Sequence, residues 1–126
     1  IKISILAIRH VLLASVSDSL QLFHKVNEFL KASGKAPLFK IQLVGFSREV
    51  DYEKGLFMIR PDVLFDEVKK TDLIIIPSFT GNVTTVTYLN KDCCVWLADQ
   101  YKRGAKIAGL CTGTFLMAFS GILKGK

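Results

Sequence analysis

Gly109-Leu110-Cys111-Thr112-Gly113 sets a thiol between two glycines in the G-x-nucleophile-x-G pattern of a nucleophile elbow, with cysteine in the place of serine. Small residues flank such a nucleophile because the turn is tight and the chain passes close to itself. A helix starting just after Cys111 would aim its N-terminal N–H groups at the sulfur and favour thiolate over thiol. The backbone N–H of Thr112 would face an oxyanion formed on an attacked carbonyl. The chemistry implied is nucleophilic attack by sulfur on a carbonyl or other electrophile. Two histidines are available as a base, His10 and His24. His24 falls on a helix and reads as a surface or packing residue. His10 follows the first strand, at the same sheet edge as the elbow.

The elements that must position these residues alternate along the chain. Ile3 to Ile8 is a buried strand. Ser17-Asp18-Ser19 offers capping oxygens for a helix carrying an apolar stripe of Leu22, Val26 and Phe29, with Phe23 and Leu30 beside it, stopped by Gly34 and Pro37. Phe39 to Gly45 is the second strand. Val50 to Ile59, interrupted by Glu53-Lys54-Gly55, reads as a hairpin, and Pro61-Asp62 as the opening of a short helix through Val68. Leu73-Ile74-Ile75-Ile76-Pro77 is the longest unbroken apolar block and suits a parallel strand covered on both faces. A helix from Lys91 to Lys102 puts Cys94, Leu97, Ala98 and Tyr101 on one face. Lys106 to Leu110 is a short strand leading into the elbow, and Thr112 to Ser120 a closing helix ended by Gly121. The βαβ pattern gives an α/β fold: an open, mostly parallel sheet with helices on both faces, a flavodoxin-like three-layer sandwich.

Composition narrows the function classes. The 126 residues amount to one domain, half of them apolar, enough for a core. No run is long enough to span a bilayer, and the first residues read as a strand and not as a signal peptide, so a cytoplasmic, membrane-free protein is expected. The three cysteines fit neither a metal site nor a disulfide framework, and no metal or cofactor is expected. Adjacent Cys93 and Cys94 should point to different helix faces. Asn82-Val83-Thr84 has the form of a glycosylation acceptor but no secretory context. The formal net charge is +6, yet the cations are scattered: Lys31, Lys35, Lys40, Lys69, Lys70, Lys102, Arg103, Lys106. They read as helix-end charges on a solvated surface.

From Arg103 through Cys111-Thr112-Gly113-Thr114-Phe115 to Gly121-Ile122-Leu123-Lys124-Gly125-Lys126, the chain resembles the ThiJ/PfpI family of the class I glutamine amidotransferase-like superfamily. The wording is closest to the branch in which this domain is the N-terminal half of AraC-type transcriptional regulators. The resemblance implies an acidic residue beside the cysteine on the first helix, where an alignment on Ser19-Leu20-Gln21-Leu22-Phe23 puts Gln21, which cannot exchange a proton usefully. It also implies Pro-Gly-Gly after the strong strand, with the first glycine's N–H in the oxyanion hole. Here the residues are Pro77-Ser78-Phe79, making Ser78 a candidate donor and Phe79 a lid or obstruction at the mouth of a pocket that would include Gln21, His10 and Gly113. Catalytic members carry a histidine shortly after the segment that ends at Lys126. By the resemblance, residues 1–126 are the N-terminal two-thirds of one domain, with further strands, a covering helix and a helix-turn-helix domain expected downstream. The function it implies is a ligand-sensing and dimerising domain, with an unknown small-molecule effector, a homodimeric state, and DNA bound only through the separate domain. A free-standing cysteine hydrolase or carbonyl-adduct repair enzyme is the alternative, and a sensor oxidised at Cys111 the second.

Overall fold

The computed structural model describes residues 1–47, 50–52 and 56–125. Its centre is a five-stranded sheet in which every pairing is parallel, ordered β5-β2-β1-β6-β7. The strands are β1 (Lys2–Ala7), β2 (Lys40–Gly45), β5 (Val63–Leu64), β6 (Leu73–Ile76) and β7 (Lys106–Gly109). A separate antiparallel pair, β3 (Val50–Tyr52) with β4 (Phe57–Ile59), forms the expected hairpin, whose turn at 53–55 lies outside the described residues. From β1 the chain winds outward through α1 (Leu13–Ala32) to β2. From β6 it winds the opposite way through α2 (Val83–Leu89) and α3 (Lys91–Lys102) to β7. Right-handed crossovers running in opposite directions lie on opposite faces, which gives the three layers. The final helix, α4 (Gly113–Phe119), packs on β6 and β7 and touches both α2 and α3.

The core follows from the apolar strands. Ile3, Ile5, Ile74 and Ile76 are fully buried in β1 and β6, joined by Leu97 from α3 and Leu116 from α4. Complete burial of one such side chain contributes roughly 1.5–3 kcal/mol. Polar groups inside the sheet are paired: Ser4 Oγ and Thr71 Oγ1 are 2.8 Å apart, and Gln42 Nε2 donates to Ser4 Oγ at 2.9 Å.

Three local readings change. First, α1 begins at Leu13 with no side-chain cap, four residues before Ser17, and Ser19 Oγ donates back to the Ser15 carbonyl. Second, the α1 stripe is turned outward: Leu22, Val26 and Phe29 are 61%, 37% and 74% exposed, while Val16 and Ser19 are buried and Leu20 and Phe23 pack on the core. Asn27 sets this rotation. Its amide donates to the Phe39 carbonyl and accepts from the Leu38 and Phe39 N–H groups, and Phe23 meets Phe39 edge-on at 5.2 Å. Third, Val63–Leu64 is a strand on β2, and only Phe65–Glu67 is helical, as one 3-10 turn tied by Leu64 N–H to Glu67 Oε1. The sequence reading assigned no element to residues 83–89. There Val and Thr mimic a strand, but Asn82 Oδ1 accepts from the Thr85 N–H and caps a helix.

Candidate active site

In this topology the strand order reverses between β1 and β6, and the crevice at their carboxyl ends is where an open α/β sheet binds ligands. Three segments meet there: residues 8–15 after β1, 77–80 after β6, and the elbow after β7. Cys111 has a φ of +51°, the left-handed conformation an L side chain enters at a cost of about 1–2 kcal/mol. Its neighbours permit the turn. A Cβ on Gly113 would collide with the Ile76 carbonyl and lie 2.6 Å from that of Pro77, and one on Gly109 would lie 2.9 Å from Thr114 Cα. The elbow read from the sequence is therefore present in the backbone, with Cys111 exposed at its tip and α4 following directly.

Around it the three segments are laced together. Ser78 Oγ donates to the Leu110 carbonyl at 3.1 Å, and the Leu110 N–H donates to the Ile76 carbonyl at 2.9 Å. Thr112 Oγ1 accepts from the Phe79 N–H at 2.7 Å and donates to the Phe79 carbonyl at 2.8 Å, holding both backbone groups of one residue. The Leu12 N–H donates to the Ser78 carbonyl at 2.7 Å, and the Thr80 N–H to the His10 carbonyl at 2.9 Å.

The Ser78 N–H, a candidate oxyanion donor, is bound to Ser15 Oγ at 2.9 Å. The other candidate, Thr112, has a backbone N–H with no partner among the described residues. Phe79 is 4% exposed, bridged to Val11 and part of the core, so its ring is not a lid at the mouth. His10 is exposed with a φ of +63°, and its carbonyl, not its imidazole, makes the contacts to the site. His24 is exposed on α1. Gln21 is also exposed, with no side-chain hydrogen bond among the described residues. It lies six residues, or about 240° of helical turn, from the first-turn residue that does reach this region, Ser15. Sequence reasoning missed Ser15; its signal was a serine one turn into a helix that follows a strand's carboxyl end. Cys93 and Cys94 share α3 and are both buried. Burial, with Cys94 and Asp92 adjacent, holds the Cys93 thiol well above its ordinary value, and burial pushes Cys94 up to about 11. Both stay protonated and poorly nucleophilic at neutral pH. Among the described residues no group of three or more His, Cys, Asp or Glu is placed to hold a metal ion, and no helix is long and apolar enough to cross a membrane.

The parallel sheet of this order with a cysteine elbow after β7 is the fold found in solved structures described as ThiJ/PfpI and DJ-1 proteins. The chain matches a candidate transcriptional regulator from Vibrio parahaemolyticus at TM-score 0.80 and 22% identity, over 98% of this chain and 63% of that one. It matches a ThiJ/PfpI family protein from Pseudomonas syringae at TM-score 0.67 and 19% identity, over 98% and 47%. An AraC family transcriptional regulator from Pseudomonas putida matches at TM-score 0.65 and 16% identity, over 97% and 62%. The chain thus spans less than two thirds of each of these three proteins. No family model and no curated protein matches it.

Proposed function

We propose that this is the ligand-sensing and dimerising domain of an AraC-type transcriptional regulator, with the Cys111 elbow kept as the floor of an effector site and not as a working nucleophile. One observation carries the reading: Ser15 Oγ holds the Ser78 N–H, so of the two candidate oxyanion donors only the Thr112 N–H has no partner among the described residues. Acyl transfer at cysteine needs donors aimed at the developing oxyanion and a base at the sulfur, and removing one donor alone costs about 10²–10³ in rate. Neither His10 nor Gln21 brings a side chain into the hydrogen-bonded lacing around Cys111. The regulators among the fold neighbours favour the same choice. The effector is a small molecule that reaches the exposed thiol, the working state is a homodimer in the cytoplasm, and DNA is read by a separate domain.

The full reading frame tests this. A helix-turn-helix region after the domain supports the proposal, and a frame without one overturns it. The cysteine-hydrolase reading is favoured instead if the purified protein turns over amide or ester substrates in a way that Cys111→Ala abolishes.

A further inference from the structure

The outward apolar stripe on α1, Leu22, Val26 and Phe29, has a definite position over the sheet. At about 100° per residue, all three lie within about 40° of Ser15 around the helix. Ser15 Oγ reaches across to the Ser78 N–H, two residues past β6. Asn27, about 120° round from Ser15, ties the opposite flank of α1 to Leu38 and Phe39, before β2. The stripe therefore points sideways along the sheet, toward β6 and β7. Register partners in a parallel sheet share a face, and successive residues alternate. A Cβ on Gly109 would meet Thr114 and Met117 of α4, so Gly109 and its partner Ile76 face α4, as do Ile74 and Ile107. Leu73, Ile75 and Ala108 face the α1 side, where Ile75 is buried and Leu73 and Ala108 are only half-buried. On that side α1 packs on β1 and β2, and α2, α3 and α4 lie on the other face. Among the described residues, no helix is seated over β6 and β7 on the α1 side.

Packed helices lie about 8–10 Å apart and paired strands about 4.8 Å, so a helix beside α1 is displaced by about two strands. With α1 over β1 and β2, that seat falls over β6 and β7. It is a trough one helix wide, walled by Leu22, Val26 and Phe29 and floored by Leu73, Ile75 and Ala108. We propose that the trough is filled by one amphipathic helix of the same polypeptide, from outside residues 1–126. All-parallel sheets are covered by helices on both faces, which favours a helix over a loop. A second copy would have to lend a helix, and its two long ones, α1 and α3, already pack their buried sides on their own sheet. A segment of the same chain has the length to spare in similar folds: in the three structural neighbours described above, more than a third of each protein lies outside the match. The proposal rests on packing alone, independent of the effector-site reading.

The test is maleimide labelling of the purified protein expressed from its full reading frame, carrying Cys111→Ala so that the exposed thiol does not compete. Cys93 and Cys94 are buried. Single cysteines are introduced as Leu22→Cys and Phe29→Cys, at side chains 61% and 74% exposed within residues 1–126. The reference is Glu28→Cys, on the outward side of the same helix, where the side chain is 71% exposed. In the full protein the first two should label at least about tenfold more slowly than the reference, at every protein concentration from about 0.1 to 10 µM. Equal rates at the three positions would overturn the proposal. So would protection that disappears on dilution, which identifies a second copy as the occupant. A reading frame that adds no segment with helical apolar spacing outside residues 1–126 would overturn it as well.

Discussion

The two edges of the sheet are built on different principles. At the carboxyl edge three loops are stitched by short hydrogen bonds around one strained residue, and each glycine or hydroxyl there has a neighbour that depends on it. At the amino edge backbone pairing is supplemented by a few side chains, Asp72, Thr71 and Asn27, while Lys40 and Lys106, first residues of their strands, are exposed with no ion pair among the described residues. The first edge holds its one strained residue with hydroxyls and glycines; the second leaves its strand-opening lysines to solvent. Substitutions should therefore act through stability at the elbow and through charge at the opposite end.

Gly113→Ala should have the largest effect. Its Cβ has no room against the Ile76 and Pro77 carbonyls, both backbone, so a loss of about 3 kcal/mol is expected in urea unfolding. A tolerated alanine would mean that the elbow is looser than drawn. Thr112→Val keeps the shape but releases both backbone groups of Phe79, leaving an N–H and a carbonyl without the Thr112 hydroxyl at a cost of about 2 kcal/mol. Next comes alkaline pH. Cys93 and Cys94 titrate higher in the fold than in the open chain, so the unfolded chain loses their protons first. Stability present below pH 9 should therefore decline as pH rises through about 11. Cys93→Ala with Cys94→Ala should flatten that decline, measured by unfolding at pH 8 and above. The smallest effect belongs to Lys40→Glu with Lys106→Glu, which should change stability by no more than about 0.5 kcal/mol.

Much of this fold was legible in the sequence because its strands are short unbroken apolar runs. Leu73 to Ile76 and the stretch from Lys106 into the elbow needed no tertiary information. The orientation of α1 was not legible. Leu22, Val26 and Phe29 make the more obvious stripe, and only the pairing of Asn27 with the start of β2 turns them outward. The helix at Val83–Leu89 was hidden by β-branched residues that a single Asn82 cap outweighs. At the site, Cys111 and Gly113 could be read because a tight turn restricts residue type. Ser15, Ser78 and Phe79 could not, because their roles depend on which loops meet across the top of the sheet. The trough beside α1 was invisible for the same reason: Leu22, Leu73 and Ala108 border it only once α1 and the strands are in place.

The central claim is that the elbow is intact while its acyl-transfer machinery is not, because Ser15 occupies the Ser78 N–H. Reaction with p-nitrophenyl acetate tests this most directly, comparing the parent protein with Cys111→Ala. Attack by the thiolate forms an acetyl thioester and releases p-nitrophenolate. The account predicts at most one equivalent released per protein, absent in Cys111→Ala, with no further turnover. Sustained release over many equivalents, abolished by Cys111→Ala, would show a working cysteine hydrolase and contradict it.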